Sequence, residues 1–314
     1  MKNSPAWAGG LKRLKPHKLQ SMSSHLYSGT GVAIVTPFKQ NGDIDAAALE
    51  KLINHLTAGH VDYLVALGTT GENATLSKSE KQEIFSLVNQ FNQNRLKLVA
   101  GIGGNDTRAV VQALSDFDLT GYSAILSVSP YYNKPNQEGI FQHYKAINDA
   151  APLPVIMYNV PGRTGMNVTA ATTLRIAKNC KNIIATKEAS GNVEQMMQII
   201  SEKPEGFELI SGDDGLTLPL IACGAIGVIS VVANAYPAPF SSMVKSCLAG
   251  NFAEARPIHE KMLPIINSLF AEGSPSGVKA YLAAMNIMEE AFRLPVVGVS
   301  DQLKIQIREL MKTI

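Results

Sequence analysis

Eight short runs of apolar, largely β-branched residues recur along this chain, each separated from the next by room for a helix. They fall at 32–35, 63–67, 96–102, 124–128, 155–158, 183–186, 207–210 and 226–231. Continuous apolar runs, rather than strict alternation, suit parallel strands covered on both faces. The segments between them carry helix signals. Asp45, Ser77 or Ser79, and Asp106 stand where an N-cap belongs, and Pro152 and Pro154 fall where a helix must stop before the next strand. Eight β–α units in one chain predict an α/β fold, a (β/α)8 TIM barrel. The competing open, doubly wound sheet often carries a glycine-rich nucleotide turn, and Gly101-Ile102-Gly103-Gly104 lacks that spacing. Beyond about residue 250 the strands stop. Stretches 251–271, 275–290 and 300–312 predict a C-terminal helical extension. The expected division is a flexible N-terminal tail over 1–28, which has no Asp or Glu, a barrel over 29–240 and the extension over 241–314.

Composition removes several classes of function. A net charge of +2 gives no field that would select nucleic acid or an anionic membrane. Cys180, Cys223 and Cys247 are odd in number and far apart, which fits a reducing compartment, the cytoplasm, better than a disulfide framework. His17, His25, His55, His60, His143 and His259 form no ligand cluster, so no metal site is expected.

In such barrels the reactive groups sit at the C-terminal ends of strands and in the loops that follow. Lys187 ends the sixth run, where burial would favour its neutral, nucleophilic amine. Gly68-Thr69-Thr70-Gly71-Glu72 follows the second run and Ser129-Pro130-Tyr131-Tyr132-Asn133 the fourth. Tyr158-Asn159-Val160-Pro161-Gly162-Arg163-Thr164-Gly165 follows the fifth, and Ser211-Gly212-Asp213-Asp214-Gly215 the seventh. Each group also has a plain structural reading. Lys187 could be salt-bridged to Glu188, the tyrosines could be packed rings, Thr69-Thr70 a turn, Asp213-Asp214 a helix cap, and Arg163 a surface cation. Their convergence on one rim favours chemistry.

Gly68-Thr69-Thr70-Gly71-Glu72, the Tyr158–Gly165 segment and Lys187-Glu188-Ala189-Ser190-Gly191 together resemble the dihydrodipicolinate synthase / N-acetylneuraminate lyase family, over about residue 29 to the C-terminus. The arginine in Val160-Pro161-Gly162-Arg163-Thr164-Gly165 looks like the synthase branch. The resemblance implies a lyase that joins pyruvate to aspartate semialdehyde through an imine and needs no cofactor. It implies that Lys187 forms the imine, that Tyr158 is the general acid/base, and that Thr69 and Tyr132 complete a hydroxyl relay. Tyr131 or Tyr132 would reach a neighbouring subunit in a homotetramer built as a dimer of dimers. Thr70 and the backbone around Ile229 would hold the pyruvate carboxylate; Arg163 would bind that of the aldehyde, with Gly212 and Asp213 lining its approach. The alternatives are a sister class I aldolase acting on a sugar acid, such as an N-acetylneuraminate lyase, and a non-catalytic sensor of keto acids.

The chain departs from lysine-inhibited members of that family. Asn105 and Tyr131 are kept, but Lys78 and Lys81 stand where histidines are usual, and Ala109 replaces a glutamate that would bind the effector ammonium. Weak or absent inhibition by lysine is therefore expected.

Overall fold

The computed structural model describes residues 26–314. Eight parallel strands close into a barrel in chain order. They are β1 (Gly29–Ala33), β2 (Tyr63–Ala66), β3 (Lys97–Gly101), β4 (Tyr122–Val128), β5 (Val155–Asn159), β6 (Ile183–Glu188), β7 (Glu208–Ser211) and β8 (Gly227–Ser230). The helices that return the chain between them include α1 (Ala46–Ala58), α2 (Lys78–Asn92), α3 (Thr107–Asp116) and α4 (Gln137–Ala150). A single turn, α5 (Pro161–Thr164), precedes α6 (Ala170–Asn179); α7 (Val193–Glu202), α8 (Thr217–Cys223) and α9 (Pro237–Leu248) complete the ring. The extension holds α10 (Phe252–Phe270), α11 (Ser276–Ala284) and α12 (Asp301–Met311).

The expected caps form. The Asp45 side chain accepts from the Ala48 amide, and the Asp106 side chain from the Arg108 and Ala109 amides. Ser77, not Ser79, caps α2, in a reciprocal box with Glu80. Each cap satisfies an otherwise orphaned amide and stabilises its helix by about 1 kcal/mol. The sequence pattern misplaces the first strand. It begins at Gly29 rather than residue 32, because Gly29 and Gly31 are strand residues and not a turn. A Cβ on Gly31 would lie 2.1 Å from the Tyr63 ring, so glycine is what lets that ring fill the barrel floor. Of the segment read as a tail, residues 1–25 lie outside the described residues. Tyr27 is buried and packs edge-on against Tyr63 at 5.5 Å.

Strand residues alternate between two apolar cores. Ala33, Val65, Val99, Leu126, Ile156, Ala185, Ile210 and Ile229 fill the barrel interior. Val32, Leu64, Leu98, Ile125, Val155, Leu209 and Val228 pack outward beneath the helices. The second expected C-terminal helix is shorter than residues 275–290. It ends at Ala284, and Asn286 takes a left-handed φ of 56°. Among the described residues no helix is long and apolar enough to cross a membrane.

Candidate active site

Strand β6 runs through Lys187 to Glu188, so the lysine is held by the sheet and not by a loop. Its partner in register on β5 is Tyr158, and Asn159 faces Glu188 in the same way. Successive strand residues point to opposite faces. Tyr158 and Lys187 therefore turn inward together while Asn159 and Glu188 turn toward the helices.

The outward pair is an anchor. Asn159 Nδ2 donates to both carboxylate oxygens of Glu188 at 3.0 and 3.1 Å, and the Ser190 amide donates to Oε1 at 2.9 Å. Gln195 Nε2 adds a bond at 3.3 Å. Glu188 is thus not the counter-ion of Lys187 that its position in sequence suggests.

The inward pair meets inside the barrel mouth. Lys187 is 4% exposed, and its Nζ lies 4.4 Å from the centre of the Tyr158 ring. No carboxylate among the described residues makes an ion pair with it. Burial pulls its pKa down to about 8; the Arg163 charge pulls the same way and the buried Asp214 carboxylate opposes. Burial pushes the Tyr158 phenol upward, opposed by the Arg163 charge and by a hydrogen bond with the Thr69 side chain.

The β7–α8 loop closes the side of the site. Gly212 donates its amide to the Glu188 carbonyl at 2.8 Å. A Cβ there would lie 3.1 Å from Lys187 Cε and 2.7 Å from the Ala189 Cβ, so any larger residue would intrude on the amine. Asp213 is half-buried and its carboxylate accepts from the Leu216 amide at 3.1 Å, a turn-capping bond. Asp214, which sequence reasoning did not single out, is the buried one. It accepts from the Val231 and Val232 amides at 3.0 and 2.8 Å, tying the end of β8 to the β7 loop. Its pKa is nonetheless raised to about 6, because burial outweighs those bonds.

The remaining expected residues divide into two groups. Thr70 is buried beside the exposed Thr69, and Ile229 is buried in β8 opposite Gly31. Arg163 sits exposed on α5, close enough for its charge to act on both Lys187 and Tyr158. Tyr132 is not gathered in. It is 86% exposed with a φ of 72°, and among the described residues it makes no hydrogen bond to Thr69 or Tyr158. Tyr131 is 41% exposed and accepts from Asn105 Nδ2 at 3.3 Å through its carbonyl. It lines a separate cavity of about 470 Å³ with Lys78, Lys81, Asn105, Asp106, Ala109 and Asp116. Among the described residues no cluster of His, Cys, Asp or Glu is placed to hold a metal ion.

A closed barrel with a desolvated lysine and a tyrosine paired at strand C-termini defines a class, the (β/α)8 lyases that work through an amine. Comparison with known proteins narrows this. The sequence profile of the Dihydrodipicolinate synthetase family matches residues 26–314, and the chain belongs to that family. It is 51% identical over 284 residues to the 4-hydroxy-tetrahydrodipicolinate synthase of Parabacteroides distasonis, covering 90% of this chain and 96% of the relative. A dihydrodipicolinate synthase from Acinetobacter baumannii, solved in complex with pyruvate, superposes with a TM-score of 0.89 at 36% identity, over 91% of this chain and 98% of that one. DHDPS from Cyanidioschyzon merolae, solved with lysine bound, gives 0.88 at 38% identity, over 92% and 98%.

Proposed function

We propose that this enzyme condenses pyruvate with L-aspartate 4-semialdehyde to 4-hydroxy-tetrahydrodipicolinate, on the diaminopimelate route to lysine. The observation that carries the reading is the unpaired amine of Lys187, buried against Tyr158 with its pKa lowered to about 8. The neutral amine attacks the pyruvate ketone. One water leaves, and a protonated imine forms. The imine accepts the electron pair left when a methyl proton is removed, giving an enamine. The enamine carbon bonds to the aldehyde carbon, whose oxygen takes a proton. The amine of the semialdehyde then attacks the imine carbon, closes the ring and expels Lys187. The lysine itself supplies the electron sink, so no organic cofactor is invoked. Tyr158, backed by Thr69, is positioned to carry the protons; Thr70 and the backbone at Ile229 would receive the pyruvate carboxylate. Arg163, with Gly212 and Asp213 along the approach, would receive that of the second substrate.

Borohydride reduction in the presence of pyruvate tests this reading. A mass added at Lys187 supports it, and an unmodified lysine removes it. Supplying aspartate semialdehyde or N-acetylmannosamine then shows which aldehyde consumes pyruvate. A planar guanidinium matches a carboxylate with two charge-assisted bonds. Arg163→Ala is therefore expected to raise KM for the semialdehyde by roughly 10- to 100-fold, while pyruvate trapping is kept; steady-state kinetics with each substrate in turn check it. An unchanged KM would take Arg163 out of the site.

The same reading includes a homotetramer, in which Tyr132 meets the site of a second subunit. Its exposed ring in a left-handed backbone conformation supports that role. Sedimentation at a mass of one chain would count against it. We place the enzyme in the cytoplasm, in keeping with three free cysteines, of which Cys223 is exposed.

Lysine is expected to inhibit weakly or not at all. In the 470 Å³ cavity the Asp106 carboxylate is engaged as the cap of α3, and that of Asp116 is bonded to Lys78 at 2.7 Å and to Gln112 at 2.6 Å. Asp116 offsets the Lys78 charge, so repulsion of a cationic effector rests on half-buried Lys81. An effector ammonium thus meets a cation and no free carboxylate. Turnover measured against added lysine checks this; an inhibition constant below about 1 mM, or about 4 kcal/mol of binding, overturns it.

A further inference from the structure

The turn that carries Thr69 and Thr70 is held in an unusual shape. Leu67 and Glu72 bracket it with φ of 57° and 51°, a left-handed conformation that non-glycine residues avoid unless their surroundings impose it. Some of the constraint is local. Thr36 Oγ1 donates to the Gly71 carbonyl at 2.7 Å, and Asn73 Nδ2 to the Leu67 carbonyl at 2.7 Å. The rest comes from the far end of the chain. Glu72 turns its carboxylate into a site with almost no solvent exposure, where it pairs with Lys279 of α11. Lys279 is itself fully buried, donates to the Ala291 carbonyl at 3.1 Å and faces the rings of Phe38 at 4.4 Å and Phe292 at 5.1 Å. Arg293 adds a second grip. It donates to the Thr75 carbonyl at 3.1 Å and to the Gly42 carbonyl, and pairs with Glu80 at the start of α2.

A buried ion pair is a poor way to gain stability, because desolvation offsets most of the attraction; fixing one arrangement among several is its better-supported use. Here it joins the C-terminal extension to the turn whose Thr69 lines one small cavity together with Tyr158. We propose that Lys279 and Glu72, seconded by Arg293, are positioning residues that hold the Thr69–Thr70 turn against Tyr158, giving the C-terminal extension a direct part in proton transfer. This rests on the lyase reading above. Neither residue touches substrate; they act through Thr69. Lys187 is held separately by β6, so the place of its amine, and the extent of trapping at saturating pyruvate, do not depend on them.

The double variant Glu72→Gln/Lys279→Met separates this role from simple stability, since it removes both charges at nearly constant volume and leaves no lone buried ion. The single variants Glu72→Gln and Lys279→Met accompany it. The expected double variant melts close to the wild type and traps pyruvate on Lys187 with the same stoichiometry. Its kcat per trapped site falls by roughly 10- to 100-fold, as a small displacement of a proton-carrying group would cause, with a shifted pH profile and a smaller rise in KM for pyruvate, whose carboxylate Thr70 of the same turn would receive. A double variant with wild-type kcat and pH profile overturns the proposal. So does parallel loss of trapping and kcat, which would mark the pair as merely structural. A wild type that neither traps pyruvate nor turns over would sink the lyase reading and this role with it; a working wild type matched by the double variant sinks the positioning role alone.

Discussion

Lys187→Ala is expected to leave a folded barrel that gains no mass from pyruvate and borohydride and whose turnover is at least about 10³-fold lower. That loss corresponds to about 4 kcal/mol of transition-state stabilisation. On the proposed mechanism the substitution deletes the atom that bonds to the keto acid, and among the described residues no second lysine ends a barrel strand to replace it. The same pKa argument sets the pH dependence. With its pKa lowered to about 8, about a tenth of the amine is neutral at pH 7, against well under a thousandth for an unperturbed lysine. The rate of imine formation should therefore rise with pH, tenfold per unit below 8, and level off above it. Single-turnover trapping between pH 6 and 9 reads this directly. A rate still rising tenfold per unit at pH 9 would mean an ordinary solvated lysine.

Tyr158→Phe is expected to lower kcat by roughly 10²- to 10³-fold, within the range that general acid–base groups supply, while leaving Lys187 able to be trapped in full, though slowly. A phenol is protonated at neutral pH and burial raises its pKa further, so on the proposed mechanism Tyr158 starts as an acid and takes protons only through a neighbouring relay. The ring, which lies over Lys187 Nζ at 4.4 Å, is kept in the variant. The comparison therefore isolates the hydroxyl from the packing. Stopped-flow measurement of trapping, set beside steady-state kcat, separates the two. An undiminished kcat would remove the hydroxyl from the mechanism.

The barrel was legible in the sequence because a strand buried on both faces leaves a run of apolar residues that no loop would carry. Its errors have local causes. The first strand was misplaced because its opening residues, Gly29 to Gly31, carry no apolar run, although they are strand positions and Gly31 makes room for Tyr63. Lys187 was recognisable as a cation that an apolar strand delivers to the rim. The suggestion of Glu188 as its partner ignored the alternation of strand side chains, a signal the sequence did contain. Which member of Asp213-Asp214 turns inward was not legible, since loop residues have no fixed period. The structure buries Asp214, whose charge reaches Lys187, and leaves Asp213 capping a turn. The Glu72–Lys279 pair was beyond reach for another reason. Its members lie 207 residues apart in the chain and meet only once the extension folds back over the barrel.

Tyr158 and Lys187 stand opposite one another on neighbouring strands, so the main-chain ladder that closes the barrel also fixes the distance between them. Arg163 stands on one turn of helix outside that ladder. On the proposed mechanism the covalent half of the chemistry is therefore as rigid as the sheet, and the half that would read the incoming aldehyde is built on a replaceable segment. Mutational drift can redraw that segment one residue at a time without disturbing the amine, which is how an inherited scaffold of this kind would come to accept new electrophiles while keeping its keto acid.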